Sequence, residues 1–561
     1  MRRMGSRVFL LAVLWLAASA WSPAQIALSN SSGTETYKLQ GEVVNSITGE
    51  GIPYVLVTVS SENKQALLTG TDGHFEFAGL RAGRVTVTAS KPGFFEDGEQ
   101  KISNTNKPGR IFVSDRSNGR YAMKGLGVSI EIGPDTVPVT FKLMPEGIIT
   151  GHIEDSGGEP IERAFIRVEA IVISDGRKLW TQMAGITSRE DGTFRIANLH
   201  PGRYYVSVHS LTRGRTLEDV NAANPVGYPL SVYYPAAPDR ASAAPIDIAA
   251  GQRVEIQFAL KLQPVFKVSG NVSGQSNVQS VNIRLLSSTG EDLGLPGRFY
   301  PADGRFEIQG VPAGNYRLEA RGDNRGELPL HVSGTLNGVH VVLRPKTSIP
   351  VIIRNEATRA PEMKLENFGP HHGIPISLMA HRSDLEHDFT STGLEQHSDD
   401  GPPALNVEPG KYAVDLSVLY GGVYVQSARY GDIDLLREEL IVQPAAPRPI
   451  EVVLRDDGAN LQIKIAGAER NATSSVVVVP EAAPNQLKVA HVGGDGEGGF
   501  VMGFINGLAP GDYKVFAFDS IETMEFRNPE VLKQYNAKAA QVSLTSGMTS
   551  NVSVELIHTS Q

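Results

Sequence analysis

The chain has 561 residues, with 52 Lys plus Arg against 61 Asp plus Glu, and a formal net charge of −9. An imbalance this mild argues against a nucleic-acid or membrane-surface partner. Hydrophobic residues at 41% and charged residues at 20% suit packed globular structure, and the length exceeds the roughly 250 to 300 residues that one core supports, so several domains are expected. With 58 Gly, 34 Pro, 7% aromatics and no Cys, the composition favours turns over long helices and excludes disulfide clips.

At the N-terminus, Arg2, Arg3 and Arg7 precede an apolar run from Val8 to Ala17, followed by small residues at Ala18, Ser19 and Ala20 or at Ser22, Pro23 and Ala24. This is the pattern of a secretory signal peptide over residues 1–24, with a linker over 25–36. A membrane anchor would need about 20 apolar residues. No later stretch approaches that length, so an exported chain with no integral membrane segment after signal removal is expected, whether periplasmic, cell-surface or secreted.

Beyond the linker a motif recurs five times: an apolar residue, Gly three positions later, then Tyr or Val and a further alternating apolar residue. The copies centre on Gly83 and Val85, Gly202 and Tyr204, Gly314 and Tyr316, Gly410 and Tyr412, and Gly511 and Tyr513. They lie roughly 100 residues apart, which is domain spacing and too long for a solenoid. Gly202, Gly410 and Gly511 follow a proline, so a turn with positive φ at the glycine is expected. Upstream, Asp72-Gly73 precedes Phe75, Asp191-Gly192 precedes Phe194 and Asp303-Gly304 precedes Phe306, a hairpin signal. In the fourth copy Asp400-Gly401 leads into Pro402 and Pro403, and in the fifth the Gly493–Gly499 loop stands in for the Asp-Gly turn.

Each copy ends in an alternating strand and the next begins almost at once, at Gly41, Gly151 and Gly270 in the first three. The expected organisation is therefore five units over 37–145, 146–264 with a Pro/Tyr-rich insertion, 265–347, a divergent 348–457 and a divergent 458–561. Short connections imply units packed end to end as a rod, with cores that fold largely independently. One short helix is expected, capped by Asn528 with Pro529 in its first turn and running to Gln534.

An opening Gly-containing strand, Asp-Gly-x-Phe and Leu-x-x-Gly-x-Tyr together resemble the carboxypeptidase regulatory-like domain. The resemblance implies an all-β chain of tandem transthyretin-like or immunoglobulin-like β-sandwich domains, and implies only a non-catalytic role, because the family name refers to a domain appended to some metallocarboxypeptidases. The stretches Tyr424–Leu440 and Arg527–Val542 resemble the C-terminal parts of large exported bacterial proteins built from such domains.

None of the 13 histidines has Glu three positions on, and His-Glu-x-x-His, Gly-x-Ser-x-Gly and a Walker-type loop are absent. No enzyme activity and no cofactor are expected. Gly494, Gly496 and Gly499 match Gly-x-Gly-x-x-Gly but sit beside Asp495 and Glu497, the wrong charge for a pyrophosphate. His371, His372, His381, His387 and His397, among Asp384, Glu386 and Asp388, are of metal-binding type but lack a spacing that forces convergence, so a solvated loop is favoured and no metal site is assigned. For a ligand, the candidates are the aromatic residues Trp180, Tyr228, Tyr233 and Tyr234, as a sugar platform or, more simply, as rings that staple the insertion to the core. Lys267, Glu319 and Asn337 are of the residue types of an isopeptide trio, but Glu319, three residues from Tyr316 on one strand, should face away from the core, so no cross-link is expected. The expected function is a binding or structural role at the cell exterior, with polysaccharide or a cell-surface protein as partner. Alternatives are a carbohydrate-binding protein or an accessory subunit docking onto a separate hydrolase.

Overall fold

A computed structural model describes residues 35–60, 64–96, 110–111, 127–209, 225–274, 281–288, 290–356, 376–383, 391–395, 402–418, 422–443, 447–467, 474–493 and 500–559. The signal segment 1–24, the Gly494–Gly499 loop and every member of the histidine group except His381 lie outside the described residues. Two compact units are present, Met1–Met144 and Pro145–Gln561.

In the first unit the strand Thr36–Asn45 runs between an antiparallel neighbour, His74–Arg81, and a parallel one, Val139–Pro145. A second sheet places Leu56–Ser60 beside Gly83–Ser90 and Gly127–Ile132. Period-two alternation sends one side of each strand inward, and Leu39, Val43, Val57, Val87 and Phe141 are fully buried in the shared core. The result is a β-sandwich.

The same arrangement recurs four times within Pro145–Gln561. Each opening strand pairs antiparallel with the strand after the hairpin and parallel with a closing strand: Gly147–Asp155 with Thr193–Leu199 and Arg253–Leu260; Gln263–Ser273 with Arg305–Pro312 and Leu336–Val342; Thr347–Asn355 with Ala404–Val407 and Ile450–Arg455; and Ala459–Ala466 with Phe500–Leu508 and Thr549–Ile557. The strand that carries the repeated glycine lies in a second ladder each time; in sandwich 2 the two ladders are separate sheets, and in sandwiches 3 to 5 bridging strands join them into one. The chain is thus a series of tandem all-β sandwiches, here numbered 1 to 5. The expected helix forms as Pro529–Lys533, with the Asn528 side chain accepting from the Glu530 amide.

Register explains the Asp-Gly-x-Phe signature. Gly41 faces Phe75, Gly151 faces Phe194 and Gly270 faces Phe306 across adjacent strands. A Cβ on Gly151 would lie 2.4 Å from the Ile256 carbonyl oxygen and 2.4 Å from the Phe194 ring, so the glycine is the space that the phenylalanine fills. The preceding aspartates close the turn by accepting from the amides of His74, Thr193 and Arg305.

The repeated tyrosines also have one task. The hydroxyls of Tyr204, Tyr316, Tyr412 and Tyr513 donate to the carbonyl four residues upstream, on His200, Pro312, Glu408 and Ala509. Each clamps its own turn. The expectation of positive φ at the neighbouring glycine holds at Gly511, with φ of 145°, but not at Gly202 or Gly410; Gly83, which follows no proline, also takes a positive φ of 134°, and Gly314 does not. At Gly314 the demand is steric, since a Cβ there would come within 3.0 Å of the Tyr316 hydroxyl.

Two further expectations need correction. Glu319 does face away from the core of sandwich 3, yet it is fully buried, because that outer face is itself covered. The end-to-end rod is not found within Pro145–Gln561. The hairpin joining Phe165–Ser174 to Arg177–Thr187 in sandwich 2 reaches both sandwich 4, through Arg177 and Asp415 at 2.6 Å, and sandwich 5, through Asp175 and Arg527 at 2.8 Å. The Phe526 ring lies under Gly176 at the hairpin tip.

Glycine substitutions separate these causes. Gly151→Val should lower stability by about 1 to 3 kcal/mol through overpacking against Phe194. Gly202→Ala, whose Cβ would meet nothing nearer than 3.7 Å, should change it by less than about 0.5 kcal/mol. Urea unfolding of the two variants against wild type checks the contrast.

Candidate functional site

Within Pro145–Gln561, sandwiches 2 and 3 face each other across a cleft of ≈ 320 Å³. The Pro/Tyr-rich insertion of sandwich 2 helps to hold it in place. Val226 and Gly227 pair with Pro264 and Gln263 of the opening strand of sandwich 3, Leu230 is buried in the core of sandwich 3, and Tyr228, Val232 and Tyr234 pack against the core of sandwich 2. The insertion is therefore a strap between two cores.

Charged groups line the cleft at unusual depth. Glu169, on the strand Phe165–Ser174, pairs with Arg240 at 2.8 Å, and both side chains are 8% exposed. Burial pushes the Glu169 carboxyl above its ordinary range, with Arg240 opposing. The Arg240 guanidinium lies 4.4 Å from the centre of the Trp180 ring, a favourable cation–π stack. Glu291 accepts from the Tyr233 hydroxyl at 2.5 Å and pairs with Arg167 at 2.9 Å. On the far wall Glu319 is enclosed between Arg284 and Arg325, and Arg325 continues to Glu408 of sandwich 4 at 2.6 Å. An enclosed carboxylate needs such partners, because its desolvation otherwise costs several kcal/mol.

A second junction is centred on Asp415 of sandwich 4. It meets Arg177 of sandwich 2 at 2.6 Å, His381 of its own sandwich at 3.0 Å and Arg527 of sandwich 5 at 3.6 Å. Burial works to raise the Asp415 carboxyl, but His381 and the two arginines outweigh it and hold it below the usual carboxylate range.

The sequence-nominated aromatic residues are dispersed. Trp180 lines the cleft. Tyr233 is fully buried behind it and is linked to Trp180 through Glu291 and Arg240. Burial and the Glu291 carboxylate push its hydroxyl upward. Tyr228 and Tyr234 face the core of sandwich 2, so the four do not form one open aromatic face. Of the isopeptide trio, Lys267 is exposed and Asn337 accepts from Ser269, while Glu319 is taken by arginines. The charged residues of the cleft carry no sequence motif: Arg284 and Glu319 become neighbours only through strand register.

One arrangement superficially suggests catalysis. The Ser207 hydroxyl lies 2.9 Å from His209 Nε2, and Glu291 lies 3.9 Å from the same nitrogen. Ser207 is fully buried, and His209 Nδ1 has no hydrogen-bond partner among the described residues. A nucleophilic dyad needs an accessible hydroxyl and an orienting partner on the second nitrogen, so this group is structural. Burial, then Arg167 and Arg240, hold the His209 imidazole down to about 3.

Residues 38–111, within the first unit, match the carboxypeptidase regulatory-like domain. Comparison with curated proteins finds no match. Among solved structures, the Bacillus anthracis TIE protein is 13% identical with a TM-score of 0.16, over 55% of this chain and 51% of that one, so the match spans about half of that relative's length. A streptococcal ancillary pilin is 12% identical with a TM-score of 0.18, over 56% of this chain and 100% of its own. The shaft pilin SpaA of Lactobacillus rhamnosus GG is 12% identical with a TM-score of 0.18, over 41% and 98%.

The buried histidine sets a pH dependence. With a folded value of about 3 against 6.5 when free, the unfolded chain binds a proton that the folded chain refuses between those limits. This contribution therefore lowers stability as pH falls from 6.5 towards 3, by up to about 1.4 kcal/mol per pH unit. In His209→Asn that part of the acid slope should vanish, which denaturant unfolding of both proteins from pH 7 to 4 measures.

Proposed function

We propose that the chain is a non-enzymatic structural protein of the cell exterior, exported through residues 1–24. It is read as five sandwich units with boundaries near 145, 264, 347 and 457, in which units 2 to 5 act together as a stiff block that presents binding surfaces. The observation that carries this reading is the set of largely enclosed ion pairs joining one sandwich to another: Arg167 to Glu291, Arg325 to Glu408, and Arg177 and Arg527 to Asp415. A flexible string of modules would leave such charges in water. Placing them between sandwiches fixes relative orientation, since a misaligned pair would strand a charge with no partner. The regulatory-like match at residues 38–111 and the structural nature of the Ser207–His209 contact support a role without catalysis. No helix among the described residues is long and apolar enough to cross a membrane.

Two measurements test the reading. In calorimetry of the full chain, Asp415→Ala should destabilise by about 1 to 3 kcal/mol, because it strands Arg177 and leaves Arg527 with Asp175 alone. The loss should appear jointly in sandwiches 2, 4 and 5 by amide exchange, and damage confined to sandwich 4 would contradict the block. Intact-mass analysis of exported protein should find an N-terminus near Trp21 or Gln25, and retention of Met1 would overturn export through this segment.

A further inference from the structure

The cleft between sandwiches 2 and 3 is lined by five arginines and four acids, and these charges are not evenly matched. Glu169 is answered by Arg240, Glu291 by Arg167 and Tyr233, Glu319 by Arg284 and Arg325, and Asp292 by Arg284 at 3.4 Å. Arg317 has a single carboxylate within reach, Glu327 at 3.7 Å, and otherwise donates to the Ser288 carbonyl. Arg321 is exposed, lines the cleft, and its side chain has no hydrogen-bond or ion-pair partner among the described residues. The uncompensated charge is thus positive and sits at the sandwich 3 side of the opening.

A second observation concerns the depth of the cleft. Glu169 Oε2 and Arg240 Nε and Nη1 are enclosed with no hydrogen-bond partner among the described residues, although both side chains line the cleft. Such unspent capacity is uncommon in a folded interior. The remaining polar lining, Gln182 and Asp292, adds hydrogen-bond acceptors, while Trp180 and Leu286 give apolar surface.

We propose that this cleft binds a carboxylate-bearing sugar, with Arg321 anchoring the carboxylate and Arg317 flanking it, and with ring hydroxyls donating to the acceptors of the lining. The mixture selects this ligand class. A polyanion such as a nucleotide would meet Asp292 and Glu169 at the cost of repulsion, and a neutral sugar would leave the Arg321 charge unanswered. One negative charge with several hydroxyls matches the single unpaired guanidinium of Arg321, and guanidinium suits the planar carboxylate geometry. The volume of the cleft accommodates one or two sugar rings. This inference deepens the proposed binding surfaces, but its failure is separable from theirs, because the stiff block is tested by unfolding and this site by titration.

The test is calorimetric titration of the full chain at low ionic strength with a uronate disaccharide, its neutral hexose counterpart and inorganic phosphate. Saturable uronate binding is expected, at least tenfold tighter than the neutral sugar, weakened by salt, weakened at least tenfold by Arg321→Ala and partly restored in Arg321→Lys. Gln182→Leu, on the opposite wall, should weaken the uronate while leaving the melting temperature in place, so the site remains testable if the arginine variant does not fold. Absence of saturable uronate binding would overturn the proposal. So would equal binding of the neutral sugar, equal binding of phosphate, or unchanged affinity in Arg321→Ala and Gln182→Leu.

Discussion

Carboxylates enclosed between sandwiches hold Pro145–Gln561 together. Asp415, Glu291, Glu319 and Glu408 each take guanidinium partners from a neighbouring strand or sandwich, and in a low-dielectric setting none of them tolerates losing those partners. Buried ion pairs add little net stability compared with apolar packing, since desolvation consumes most of the attraction. Their effect is geometric. Alternative dockings of one sandwich on another would bury a bare charge, so the set of permitted arrangements is small.

This constraint also explains the position of the cleft. Where apolar side chains close the interior of each sandwich, the outer faces that meet are built from Arg, Glu and Gln, and long charged side chains leave space between them. The strap carrying Tyr233 and Arg240 closes one side, giving Glu291 a hydroxyl partner and Trp180 a cation to stack on. The cleft is the gap that this polar contact leaves open, rather than a pocket cut into a core.

What could be read from the sequence follows the range of the interactions. The tandem sandwiches were legible because period-two alternation, Asp-Gly turns and the Gly-x-Tyr repeat are local signals, and the short helix at Pro529 was legible for the same reason. The reason for the repeated glycines was less accessible. Gly151 yields to Phe194 across a register that no local pattern states, and Gly202 lacks the turn geometry that Pro201 suggests. The burial of Glu319 was not visible either, because parity along a strand says which face a residue occupies but not whether another sandwich covers that face. Of the nominated aromatic residues, Trp180 reached the cleft, whereas the arginines and acids that dominate it were unmarked, since charges on alternate strand positions look like any solvated face.

In every sandwich the opening and closing strands lie side by side and parallel, over seven residue pairs between Ala459–Ala466 and Thr549–Ile557 and eight between Gly147–Asp155 and Arg253–Leu260. The chain consequently enters each sandwich at one end and leaves at the other. A pull on the two ends slides these strands past each other, loading the whole ladder in shear so that its hydrogen bonds must give way together. An antiparallel terminal pair would instead peel open one bond at a time. Each sandwich is therefore oriented to resist tension applied along its own strands.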